Sequence, residues 1–143
     1  MARTGPPTGA VPRVLNALMA RMLRIGLGPP GTWLLTTRGR KTGALRSTPV
    51  TLVEDETGRY LVSPYGTPGW VHNARAAGSV SLRRGRREET LPIAELDAAA
   101  SAPVLKAYVK KERIVRPWFD AGPDAPVEAF AAEAPRHPVF RLG

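Results

Sequence analysis

Trp33-Leu34-Leu35-Thr36-Thr37-Arg38-Gly39-Arg40-Lys41-Thr42-Gly43-Ala44-Leu45-Arg46-Ser47-Thr48-Pro49-Val50 is an apolar β-prone run, a turn bounded by glycines, and a second β-prone run. The hydrophobic period from Thr32 is two, so the stretch reads as strand, turn, strand. Arg38, Arg40, Lys41 and Arg46 crowd around the turn, and like charges at that spacing repel one another. An anion resolves the repulsion. Glycines let the backbone approach closely and turn its N–H groups inward, and Arg and Lys complete a cage for phosphate or carboxylate.

Working outward, the same period predicts strands at about Trp33–Thr37, Leu45–Glu54, Tyr60–Ser63, Val80–Arg84 and Glu88–Glu95, with turns at Gly58 and Gly85. His137–Leu142 reads as a closing strand. Gly69–Gly78 is a short helix with glycine at both ends; further helices are expected over Pro103–Val115 and Val127–Ala134. Upstream, Val11, Leu15, Leu18, Met22 and Ile25 recur at helical spacing and form one face, flanked by Arg13, Arg21 and Arg24. Docking of that face on the core is the plain expectation; contact with a membrane surface is the alternative. The expected plan is a single domain over 1–143: a flexible tail at 1–10, a helix at 11–27, a barrel core at 33–96, and C-terminal helices with a closing strand at 97–143. The class is α+β, mainly β, a small antiparallel barrel with peripheral helices.

The net charge of +9 is unevenly placed: residues 1–53 carry eight basic side chains and no acid. Such a field favours anionic partners, whether nucleic acid, an acidic membrane or a polyanionic small molecule. The chain has no cysteine and only His72 and His137, so no disulfide, thiol nucleophile or thiolate metal site is expected, and metal ligation is read as none. No signal sequence or membrane-spanning run is read, and the expected location is cytoplasmic.

The Gly39–Gly43 turn lacks the spacing of a P-loop, and neither a dinucleotide fingerprint nor a nucleophile elbow is present. Chemistry by side chains alone is poorly supported. A bound cofactor that carries the reactivity, with the protein supplying grip and orientation, fits better.

Leu34–Val50, Tyr60-Leu61-Val62-Ser63 and Gly69-Trp70-Val71-His72-Asn73-Ala74-Arg75-Ala76-Ala77-Gly78 together resemble the deazaflavin-dependent nitroreductase and quinone reductase family. The resemblance covers about residues 33–96 in order and rests on the Gly-Arg-Lys-Thr-Gly turn combined with the Trp-x-x-Asn-x-Arg helix. It implies a split β-barrel, often dimeric, that binds reduced coenzyme F420 and passes hydride to a quinone, nitro compound or activated alkene. By the same resemblance Arg40, Lys41 and Thr42 grip the phosphate, with Arg46 nearby for phosphate or tail. Ser47, Thr48, Pro49 and Val50 run along the ring, Ser63, Pro64, Tyr65 and Gly66 edge it, and Trp70 and Asn73 anchor the short helix beside it.

One segment departs from the family. Many members have Ser-Lys-Gly-Gly where this chain has Ser63-Pro64-Tyr65-Gly66, and Pro64 removes a backbone donor. Tyr65 is the catalytic candidate, as a hydrogen-bond donor or proton source; its plainer role is an aromatic wall. Plainer roles are open to the others too. The cationic cluster suits a solvated turn, Trp70 the core, Asn73 a cap or a bridge to a loop, Arg75 a surface position or a salt bridge, and His137 the ordering of the last strand. Pro49 marks an edge or bulge where a ligand approaches. The substrate side is otherwise expected from the N-terminal helix and from Tyr108, Trp118 and Phe119, aromatics that suit either a flat apolar acceptor or the core. The competing functions are a barrel that binds FMN, a deazaflavin carrier without turnover, and a basic nucleic-acid-binding module. The last is disfavoured because the aromatics are not interleaved with the basic cluster.

Overall fold

The structure, a computed structural model, describes residues 2–7 and 9–143. Its elements in chain order are α1 (Ala10–Arg24), β1 (Thr32–Arg38), β2 (Leu45–Asp55), β3 (Gly58–Val62), α2 (Gly69–Ala77), β4 (Ser79–Arg84), β5 (Arg87–Glu95), α3 (Ala98–Lys111), α4 (Val127–Glu133) and β6 (Val139–Leu142). Single 3-10 segments at Arg113–Trp118 and Ala134–Arg136 follow α3 and α4. All six strands close a barrel in the order β1-β2-β3-β6-β5-β4, every pairing antiparallel. The expected mainly-β antiparallel barrel with peripheral helices is the architecture observed.

Period two explains the two cores. Leu61 of β3 and Phe140 and Leu142 of β6 join Leu35, Leu52 and Leu82 on one side of the strands, sealed by Val71 and Ala74 of α2. The alternate residues Tyr60, Val62 and Val139 face α3 and α4 and join Leu105, Val109 and Phe130. Burying each such aliphatic or aromatic side chain contributes about 1.5–3 kcal/mol. The register places Thr36 against Ser47 and Leu34 against Pro49, pairing the whole of β1 with Leu45–Thr51 of β2. Beyond β1, β2 gains its second neighbour only from Leu52 onward, where β3 begins to pair. Leu45–Thr51 is therefore a one-sided edge, and Pro49 sits on it as expected of a proline in a strand.

Three helices differ from their sequence reading. α1 starts at Ala10 and ends at Arg24 rather than spanning 11–27. Its end is a Schellman turn, in which Leu27 N–H reaches Met22 O and Gly26, at φ 83°, donates to Leu23 O. Its apolar face is not sunk in the core, since Val11, Leu15, Leu18 and Ile25 are 54–71% exposed and Leu23 is the only buried residue of the helix. α3 begins at Ala98, five residues before the Pro103 taken as its first turn. Asp97 accepts from Ala100 N–H and caps it, so Pro103 lies inside the helix. The helix expected over Val127–Ala134 is α4, which tightens into the 3-10 segment at Ala134.

The segment expected as a flexible tail is tied down where it is described, while Met1 and Thr8 lie outside the described residues. Ala2 N–H donates to Asp120 Oδ1, Arg3 N–H to Pro117 O, and Trp118 Nε1–H to Gly5 O. The Arg3 guanidinium also stands 5.4 Å from the centre of the Trp118 ring. Aromatic and backbone partners on the far end of the chain, invisible to a local reading, supply these contacts.

Candidate functional site

The β1–β2 turn is a six-residue connection shaped by its glycines. Gly39 N–H bonds to Ala44 O, Gly43 N–H returns to Gly39 O, and Gly43 has φ 73°. A Cβ on Gly39 would meet Thr42 Oγ1 at 2.9 Å and Ala44 O at 3.2 Å. The glycines thus close the turn. The N–H groups of Gly39 and Gly43 are consumed within it, and the side chains of Arg40, Lys41 and Thr42 line the cavity beside it.

Asn73 ties this turn to α2. Its Oδ1 accepts from Arg40 N–H at 3.2 Å and from the Arg40 guanidinium at 3.0 Å, and its amide donates to Thr37 Oγ1. One buried amide therefore sets both the backbone and the head of Arg40. Arg38 is used differently, donating to Gly43 O across the turn. Among the described residues Arg38, Arg40, Lys41 and Arg46 have no carboxylate partner, whereas Arg59, Arg75 and Arg136 each have one. Arg75, for example, forms a two-point bridge with Glu95 at 2.7 and 2.8 Å, the salt-bridge role foreseen for it.

Two adjoining cavities result. The first, about 400 Å³, is lined by Arg40, Lys41, Thr42, Arg46, Ser47, Thr48, Trp70 and Asn73, together with Gly39, Pro68 and Gly69. The second, about 650 Å³, takes Thr48, Pro49, Val50, Pro64, Tyr65 and Trp70 from the expected set. Thr48 and Trp70 line both, so the cationic and the apolar cavity meet at these two residues. Trp70 is half-buried and lies 6.1 Å from Phe140 between ring centres, serving wall and core at once. Ser63 and Gly66 line neither cavity. Ser63 is fully buried, and its Oγ–H donates to Gly66 O at 2.6 Å, which shapes the turn carrying Tyr65.

The apolar cavity draws on the N-terminal helix, as expected of the substrate side, and on the end of α3, which the sequence reading passed over. Met19 and Met22 of α1 roof it beside Leu15 and Leu18, and Ile114, Val115 and Glu112 close it from the end of α3. Of the three aromatics left open, Tyr108 and Trp118 line the cavity, whereas Phe119 is buried and stacked on His137 at 3.8 Å. Tyr65 meets Trp118 edge-on with 4.8 Å between ring centres. Its hydroxyl has no partner among the described residues, and burial pushes the phenol above its ordinary range. The neutral, donating form of Tyr65 is therefore the one presented to the cavity. His72 lies exposed on α2, away from this chemistry.

These features suit a planar ring bearing a polyanionic tail: unpaired cations at one end, apolar walls at the other, an aromatic at the junction. Comparisons with known proteins agree. A family model described as F420H(2)-dependent quinone reductase matches residues 13–114. No match is found among curated proteins. Among solved structures, one described as a domain-swapped dimer shares 20% identity over 93% of this chain and 96% of its own, with a TM-score of 0.57. An F420-H2 dependent reductase, FDR-A, shares 23% identity over 80% of this chain and 95% of its own, with a TM-score of 0.53. A FAD-binding protein from Mesorhizobium loti shares 16% identity over 88% and 87%, with a TM-score of 0.51. At those identities the structures speak to the barrel alone. The family model spans most of the chain, and on it the chain belongs to the F420H(2)-dependent quinone reductase family, oxidoreductases that draw on reduced coenzyme F420.

Proposed function

We propose that the chain reduces a flat, apolar acceptor (a quinone, nitro compound or activated alkene) held in the cavity beneath α1. The observation that carries this reading is the junction of the two cavities at Thr48 and Trp70. When bound, the reduced deazaflavin supplies the hydride. Arg40, Lys41 and Arg46 hold the phosphate and acidic tail, with the Thr42 hydroxyl as a further donor. Asn73 fixes Arg40 in advance, which lowers the ordering cost of binding. Ser47, Thr48, Pro49 and Val50, on the one-sided edge of β2, flank the ring, and Trp70 covers the junction. Met19, Met22 and Trp118 keep water from the reacting end. Tyr65, held protonated by its surroundings, donates a hydrogen bond to the negative charge that develops on the acceptor.

The test is oxidation of reduced F420, followed by its absorbance, on addition of a soluble quinone or a nitroaromatic. Acceptor-dependent oxidation supports the reading. Binding of F420 without oxidation, across both acceptor types, assigns the chain to the carrier alternative.

The exposed apolar residues of α1 favour a contact beyond the chain. Val11, Val14, Leu15 and Leu18 stand beside Arg13 and Arg21, a composition suited to an anionic lipid surface from which lipid-soluble acceptors are drawn. Among the described residues no helix is long and apolar enough to cross a membrane. A homodimer covering the same face is the other arrangement. Flotation with anionic vesicles, compared with sedimentation of the free protein, separates the two.

A further inference from the structure

The buried pair formed by Glu133 and His137 has no part in the reading above, yet it abuts the turn that carries Tyr65. Both side chains are 3% exposed. His137 Nε2 lies 2.9 Å from Glu133 Oε1, and Nδ1 lies 3.0 Å from Pro64 O. A carbonyl only accepts, so Nδ1 carries a proton and donates it to Pro64. Glu133 is itself held from two sides: its Oε1 accepts from Asp120 N–H and its Oε2 from Ala121 N–H. The Phe119 ring stacked on the imidazole at 18° prevents it from tipping. Desolvation pulls the imidazole below its ordinary value, against the opposing pull of Glu133 and the Pro64 carbonyl.

A buried ionisable pair is seldom needed for stability alone, because well-packed apolar residues often serve as well. Its specific product here is the orientation of one peptide plane. The Pro64 carbonyl shares that rigid plane with Tyr65 N–H, so fixing the carbonyl fixes the direction in which the Tyr65 side chain leaves the backbone. The other ties of the turn leave this plane alone: Ser63 N–H reaches Pro138 O, and Ser63 Oγ–H reaches Gly66 O.

We infer that His137, oriented by Glu133, is a positioning residue for acceptor reduction, aiming the Tyr65 hydroxyl into the apolar cavity through its hydrogen bond to the Pro64 carbonyl. The inference rests on the proposed function only in giving Tyr65 an acceptor to meet.

Two substitutions separate the halves of the imidazole. H137N keeps an amide N–H near the place of Nδ1 and loses the reach to Glu133; H137Q keeps the reach to Glu133 and loses the donor to Pro64. The first readout needs no turnover: hydrogen exchange of the amides of residues 65–67 in the free protein. H137Q is expected to raise exchange there about tenfold over H137N, the effect of losing one buried hydrogen bond. The second is steady-state reduction. H137Q loses about tenfold in kcat while H137N stays within about threefold, and both bind F420 with unchanged Kd. Equal exchange and equal kcat in the two variants overturn the inference, as does a loss matched by weaker F420 binding. Where either variant fails to fold, the wild-type imidazole decides in nitrogen-15 NMR of the free protein: a protonated, slowly exchanging Nδ1 on His137 is expected, and an unprotonated Nδ1, which cannot donate to Pro64 O, overturns the inference. A wild-type protein that binds F420 but reduces no acceptor defeats the proposed function instead, and the exchange contrast still decides the role of His137.

Discussion

The cationic cavity draws its whole lining from two short stretches, residues 39–48 and 68–73. The apolar cavity, which it joins, takes walls from Pro7, α1, the β2 edge, the Tyr65 turn, α2 and the α3 end as far as Trp118. One is written locally: a hairpin turn and the first turns of a helix, joined through Asn73. The other exists only after the chain has closed on itself. On the proposed reading the difference follows from what each would hold. A phosphate needs a few charges at fixed spacing, which one tight turn provides. A flat apolar molecule needs enclosing surface, which no single segment of a small barrel can offer.

If that division is right, substitutions on either side should have separable effects. The largest is expected from R40A/K41A. Each charge-assisted hydrogen bond is worth about 1.5–3 kcal/mol, so F420 Kd should rise by about two decades or more in a fluorescence titration. The midpoint of thermal unfolding of the free protein should fall little, because those cations have no carboxylate partner and Arg40 N–H keeps its bond to Asn73 Oδ1 when the guanidinium is removed. Added salt should weaken F420 binding and leave the acceptor KM nearly unchanged. A Kd that ignores both salt and the double substitution would dissolve the distinction.

Next is Y65F, expected to lower kcat for acceptor reduction by about a hundredfold with F420 affinity intact. A change within threefold would make Tyr65 a wall. The pH profile follows from the same residue. Its pKa lies above 10.0, so the donating form persists through neutral pH, and no loss of rate from this group should occur below about pH 10. N73A is smaller, raising F420 Kd by about tenfold through disorder of Arg40 rather than loss of charge. The smallest effect concerns stability. Burial raises the Tyr108 phenol far above its ordinary 10.0. Unfolded chains therefore release this proton at lower pH than the folded protein, so stability is full below pH 10 and falls as pH rises beyond it. Urea melts of Y108F should show less alkaline loss than the wild type.

The same local-versus-distributed division governed what could be read from the sequence. Period two in Trp33–Val50, the Gly58 and Gly85 turns and the Gly-bounded α2 are short-range signals, and the barrel follows from them. Arg40, Lys41, Thr42 and Asn73 were legible because turn and helix carry their own punctuation. α3 was misplaced because Pro103 was taken for its first turn while Asp97, the true cap, stood before a featureless alanine run. The N-terminal helix is expected on the substrate side through the resemblance, but nothing local singles out Met19 and Met22 as the residues that line the cavity. Glu133 and His137 do carry a signal, an i, i+4 spacing just before the last strand, but its meaning depends on Pro64, 73 residues upstream of His137. Ser63 and Gly66 were placed on the ligand by resemblance, whereas burial turns Ser63 back onto its own turn.

α1 is fastened at one end only. Gly85 N–H bonds to Leu23 O, Gly85 passes so close to Gly26 that a Cβ on it would stand 3.2 Å from the Gly26 Cα, and Arg84 donates to Gly28 O, Pro29 O and Thr32 O. Among the described residues no comparable hydrogen bond holds the half that contains Leu15 and Leu18. On the proposed reading, selection can therefore rework the surface that α1 offers an acceptor while the hairpin assigned to the coenzyme goes untouched, and a lineage built on this barrel can exchange one oxidant for another without relearning how to bind its coenzyme.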